Sequence, residues 1–217
     1  MQVKESIAKG EQNVTLRKWN YLFWTTLAWG SGVAIAAGIF LIMLFDDFSF
    51  LEMTEPGFNW QTLLFALLGG ALISTVSQMG FFAYLTVRYI AVGIIRVKWV
   101  WEGLQIFIIF DAFFATVYLS YKSFAGEGGS WVPYIWLPLI LLIISFAVAY
   151  WKMIKTNKNA FIPTLFFMFV VTLIEMLPVL RYDSVAANIY MLSTLVACNT
   201  WQIMLLHKLV GNKKELA

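Results

Sequence analysis

Six runs of about twenty or more apolar residues dominate this 217-residue chain, covering residues 22–45, 62–86, 99–121, 131–151, 160–180 and 186–207. A helix rises about 1.5 Å per residue, so roughly 20 residues cross a hydrocarbon layer about 30 Å thick. All six runs reach that length. Inside hydrocarbon every backbone N–H and C=O must be satisfied within the structure, which leaves only helices and closed barrels. The runs are continuously apolar and lack the alternation of barrel strands, so an all-α membrane protein of six transmembrane helices is expected. The connections are short, which favours antiparallel neighbours in one compact bundle over two domains. We read residues 1–217 as a single transmembrane domain with a cytoplasmic arm at 1–21 and a cytoplasmic tail at 208–217.

Composition agrees with that solvent. The chain is 61% hydrophobic and 12% charged, where a soluble domain carries about 25% charged residues. A soluble fold of this length leaves roughly a third of its unfolded surface exposed and cannot hide so much apolar area. A soluble enzyme, a disordered chain and a nucleic-acid module are thereby excluded. Aromatic residues reach 18% with ten Trp, a pattern suited to repeated crossing of membrane interfaces. The single cysteine, Cys198, rules out an internal disulfide.

The net charge of +3 is sorted by position. Thirteen of the fifteen Lys and Arg lie in the N-terminal arm, the segment after the second run, the turn after the fourth, and the tail. The opposite side holds Lys122 and Arg181 beside Asp46, Asp47, Glu52, Glu55, Glu127 and Asp183. Short loops rich in Lys and Arg stay in the cytoplasm, so both termini are expected there. The excess of positive charge is a topology signal and implies no nucleic-acid partner. The first run is too long for a signal-peptide core, despite the Ala-rich stretch 34–37, and reads as a retained helix.

Two connections carry apolar residues of their own. Residues 45–61 form an acidic outer loop, and 88–98 (RYIAVGIIRVK) mix basic and apolar side chains in a way that suits the inner interface. Arg88, Arg96 and Lys98 there are candidate cytoplasmic-face contacts, against the plainer role of anchoring helix ends to headgroups. Phe-Phe pairs at 81–82 and 166–167 are too weak, in a chain with 19 Phe, to establish an inverted repeat.

Three acidic residues fall inside the runs. Asp111 lies near the middle of the third, Glu102 near its inner end, and Glu175 in the outer part of the fifth. A charge at mid-membrane costs roughly 2.5–3.5 kcal/mol on insertion scales, which makes Asp111 the foremost functional candidate. It is expected to face the bundle interior, as a relay, as a contact to a partner helix, or as a packing hydrogen bond. Glu102 and Glu175 are close enough to interfaces to meet water. The inner half of the bundle is the most polar: Ser74, Thr75, Ser77 and Gln78 end the second run, and Asn199, Thr200 and Gln202 sit at matching depth in the sixth. Gln78, Asn199 and Gln202 can form an interhelical network at about 0.6 kcal/mol per bond, as packing glue or as the wall of a cytoplasmic cavity. Small residues at four-residue spacing, Gly30-Ala34-Gly38 and Ala66-Gly70-Ser74, permit close helix approach and are expected to pack the bundle internally, the alternative being to receive a partner's helix.

Intramembrane chemistry fails on residue supply. The one histidine, His207, stands at the inner edge, so neither a histidine pair for zinc nor a Ser-His dyad is available. A single aspartate within the runs excludes an aspartyl dyad. Phosphate-binding and dinucleotide-binding glycine motifs are missing. The chain is expected to have no catalytic residues, no metal and no cofactor.

Specific stretches carry a resemblance. SQMGFFAYLTVRY at 77–89, TNKNAFIPTLFFMFVVTLIEMLP at 156–178 and LVACNTWQIMLLHKL at 195–209, with NYLFWTTLAWGSG near the start and PYIWLPL from Pro133, resemble the KinB-signalling pathway activation (KbaA-like) family of spore-forming bacilli. The resemblance runs from the first span to the sixth, with an N-terminal arm longer than the family pattern. It implies a multi-pass protein of the bacterial cytoplasmic membrane, linked to activation of the membrane sensor histidine kinase KinB upstream of the sporulation phosphorelay. It implies no enzymatic residues. The expected function is therefore a non-enzymatic membrane activator of a KinB-type kinase. The alternative is a small transporter or ligand sensor with Asp111 as its intramembrane polar site.

Overall fold

The computed structural model describes residues 2–45, 60–95, 97–125, 129–181 and 184–211, with side chains placed within 17–206. Among these residues every regular element is helical. The helices are α1 (Gln2–Leu44), α2 (Trp60–Ile94), α3 (Lys98–Phe124), α4 (Val132–Lys155), α5 (Phe161–Phe166), α6 (Thr172–Met176) and α7 (Val185–Gly211). α5 and α6 are joined through a π-helical segment, Phe167–Val171, and preceded by a 3-10 turn, Lys158–Ala160, so that the four pieces make one continuous fifth rod. Six helices are thus long and apolar enough to cross a membrane. The expected outer loop at 45–61 lies largely outside the described residues, as does Arg96.

The breaks follow from local chemistry. α4 opens with Pro133 in its first turn, where a missing N–H costs nothing. It stops at Thr156, whose extended partner Asn157 hands the chain to the next rod. The expected boundary at residue 86 falls short, because α2 continues unbroken to Ile94. Its 35 residues span about 50 Å, so Arg88 rides on the last turns of a helix and not on a separate interfacial segment.

Packing divides the rods into two groups with the fifth between them. α1, α2 and α7 pack on one another; α3 and α4 pack on α5; the π segment touches both groups, and α6 packs on α2 and α7. The central position shows in burial: 61% of the fifth rod's apolar stretch is buried, against 22% of α3. Its consecutive residues serve opposite sides. Phe167 and Met168 join a core with Leu22, Phe81, Tyr84, Val148 and Ile203. Phe169 and Val170 join another with Ile109, Leu141, Ala149 and Leu173.

The two small-residue ridges meet each other, as their spacing suggested. A Cβ on Gly70 of α2 would lie 2.4 Å from Ala34 Cβ and 2.9 Å from Ser31 Cα of α1. The approach of α1 to α2 is therefore set by backbone against backbone, and no side-chain movement could make room.

Candidate functional site

The most polar buried region lies where α2, α6 and α7 converge. Asn199 of α7 is fully buried and stands at its centre. Its Nδ2 donates to Thr172 Oγ1 (2.9 Å) and to Glu175 Oε2 (2.8 Å), both on α6. Its Oδ1 accepts from Ser77 Oγ of α2 at 2.8 Å. Ser77 Oγ in turn accepts from Gln202 Nε2, one turn further along α7, at 2.9 Å. The chain Gln202–Ser77–Asn199–Glu175 thus ties three helices through side chains alone. One turn away, Ser74 Oγ lies 3.5 Å from Cys198 Sγ and donates to the Gly70 carbonyl.

Backbone geometry makes room for the carboxyl. A Cβ on Gly80 would stand 1.9 Å from Glu175 Oε1, so the glycine is what lets the acid lie flat against α2. The π segment immediately before α6 adds an extra residue to the turn, a feature common at functional sites, and Thr172 and Glu175 follow it onto the α7-facing side. The network is incomplete at both ends: Glu175 Oε1 and Gln202 Oε1 are buried with no hydrogen-bond partner among the described residues. Those two oxygens can accept from a bound water or another donor.

Several expectations are corrected here. Glu175, expected to meet water near the outer interface, is only 6% exposed. The reason is geometric: α6 ends at Met176, whereas its partner Asn199 lies roughly 20 Å along α7 from Val185. A residue near the end of a short helix is here deep in the bundle. Gln78 does not join the Asn199 network; its Nε2 donates to the Phe23 carbonyl of α1 at 3.3 Å. Asp111 does not face the interior. It is exposed on the outer surface of α3 and makes no hydrogen bond or ion pair with any described residue. The inward turn of α3 is taken instead by Gln105 and Ile109.

The inner-face candidates are also separate from the network. Arg88 is exposed. Lys98 donates to Asn159 Oδ1 at 2.7 Å and pairs with Glu102 at 3.5 Å, so both are engaged within the chain.

Three participants were missed by sequence reasoning. Thr172 is an ordinary threonine in an apolar run, and only the position of Asn199 gives it a role. Lys152, counted as part of a cytoplasmic turn, is 5% exposed and its Nζ donates to the Ile203 carbonyl of α7. Its place before Lys155 on the same helix was the available signal. Tyr84 links α2 to α5 by donating to the Pro163 carbonyl at 3.0 Å.

Comparison with known proteins bears on this arrangement. Residues 30–209 match the family described as KinB-signalling pathway activation in sporulation, KbaA. The KinB-signaling pathway activation protein of Bacillus subtilis (strain 168) is 35% identical over 187 residues, covering 86% of this chain and 93% of that relative. No solved structure matches the chain. The matched region contains all of the polar network and the whole of α2 to α6.

Proposed function

Because the chain belongs to the KbaA family of KinB-signalling pathway activation proteins, we propose that it is a non-enzymatic, multi-pass activator of a KinB-type sporulation sensor histidine kinase. It resides in the bacterial cytoplasmic membrane with both termini in the cytoplasm. The observation that carries this reading is the match over nearly the full chain to a protein named for that activation.

The surface supports the membrane placement. Large apolar side chains cover the outside of α1 to α4, including Met43, Leu72, Phe107 and Ile143. Exposed Trp60, Trp99, Trp131 and Trp151 mark helix ends, where headgroups favour indole rings. Arg88 about two turns from the end of α2, Lys98 at the start of α3 and Lys155 at the end of α4 support the inward placement of the termini.

Activation needs no chemistry in this chain. A membrane protein that binds one conformational state of a kinase more tightly shifts its population, and a fewfold shift needs only about 1 kcal/mol. A handful of interhelical contacts supplies that much. The transporter or ligand-sensor alternative rested on Asp111 lining an internal path, and its outward position removes that support.

The test is genetic complementation. In a sporulating host lacking its own relative of this protein, a KinB-dependent phosphorelay reporter is expected to fall and to recover when this chain is supplied. Full output without it, or no recovery with it, contradicts the proposal.

A further inference from the structure

α3 is the least buried of the six rods, packed mainly on α4 and the fifth rod with a smaller contact to α2. Its opposite side carries Leu104, Phe107, Asp111, Phe114 and Tyr118, all exposed, at alternating steps of three and four residues. That spacing is the seam of a two-helix coiled coil, in which side chains of one helix fill holes in another. Phe107 and Phe114, which flank Asp111 one turn to either side, are 67% and 65% exposed. Lipid alone can cover such rings. It cannot satisfy the carboxyl between them.

Asp111 lies at the midpoint of α3, roughly 20 Å from Lys98 and from Phe124. A side chain two bonds long cannot reach headgroups from there, and no described residue pairs with it. Ionisable groups in a span ordinarily pair with one another. We propose that this seam is the docking surface for a transmembrane helix of a partner protein that presents a Lys or Arg at mid-membrane opposite Asp111. The inference deepens the activation reading above and rests on it, since the partner is the membrane protein through which this chain acts. Charge complementarity favours that occupant over a second copy of the chain: parallel copies related by a two-fold axis would oppose two carboxyl groups, which meet only by sharing a proton, whereas a basic side chain pairs with the carboxylate directly. The single polar position in an otherwise apolar seam fixes the register and the choice of partner.

The test uses the full chain in sporulating cells lacking their own relative, with p-benzoylphenylalanine at Phe114, or at Phe107 as a second position. The expected result is a cross-link to a membrane protein within a span that holds Lys or Arg. Asp111→Leu is expected to weaken that cross-link and the kinase-dependent output at least tenfold, and Asp111→Glu to preserve both. Asp111→Leu removes a charge from an exposed apolar face, so its abundance in the membrane should equal or exceed wild type. Asp111→Lys should be inactive and be rescued when the partner's basic residue is changed to Asp. A cross-link only to a second copy of this chain, no cross-link at either position, or Asp111→Leu activity equal to wild type overturns the inference. If wild type itself fails to restore output, the activation reading fails; if wild type and Asp111→Leu both restore it, the docking surface alone fails.

Discussion

Asn199 makes three side-chain hydrogen bonds while fully buried, and that sets what Glu175 contributes. Interhelical side-chain hydrogen bonds in a membrane bundle average only about 0.6 kcal/mol each, yet a buried donor left without a partner costs about 1–3 kcal/mol. Glu175→Ala strands one Asn199 N–H and opens a void, so it is expected to destabilise the protein by about 2–4 kcal/mol. Glu175→Gln keeps an acceptor for Asn199 and should stay within about 1 kcal/mol of wild type. Unfolding by SDS titration in mixed micelles measures both; an Ala variant as stable as wild type would show that the carboxyl is not part of this knot. The sequence carried half of this site. Ser77, Asn199 and Gln202 were recognisable from polarity at matching depth in two apolar runs. Glu175 was misplaced because depth was counted along its own helix, and helices of unequal length do not share an origin. The inward orientation expected of Asp111 failed for a different reason: the cost of a mid-membrane charge says that it needs a partner and does not say on which face of the helix that partner lies.

Elements pack here by removing side chains as much as by supplying them. Gly70 against Ala34 and the Ser31 backbone leaves no space for a methyl group. Gly70→Ala should therefore push α1 from α2 and cost about 1–3 kcal/mol. Gly32→Ala, on the same helix pair but with nothing within 4 Å of the added Cβ, should be neutral or stabilising by up to about 1 kcal/mol. The same unfolding measurement separates them, and equal effects would contradict the interlocked ridge. Four-residue spacing of Gly, Ala and Ser identified both ridges in advance, since close approach is a local property of a helix face. Helix ends were less legible. α2 runs past residue 86 to Ile94 because nothing in VRYIAVGI breaks a helix, whereas hydropathy marks only where the apolar stretch stops. The π segment at Phe167–Val171 left no trace in a run of apolar residues, because its register is set by packing on two sides.

At the scale of the whole molecule, the count of six helices long and apolar enough to cross a membrane was legible, because length and apolar composition recur run after run. Which rod is central was not. The fifth is shorter and no more apolar in appearance than its neighbours, yet it contacts both halves of the bundle and carries the acid that bonds to Asn199 of α7. This arrangement leaves α3 on the periphery with Asp111 turned outward. The proposed function then amounts to activation by binding, which the chain's effect on a kinase can test directly. Autophosphorylation of a KinB-type kinase, reconstituted in lipid vesicles with and without this protein, measures that most simply. The rate is expected to rise a fewfold and to saturate as the ratio of this protein to kinase increases. A rate unchanged at every ratio, with both proteins inserted, would contradict it.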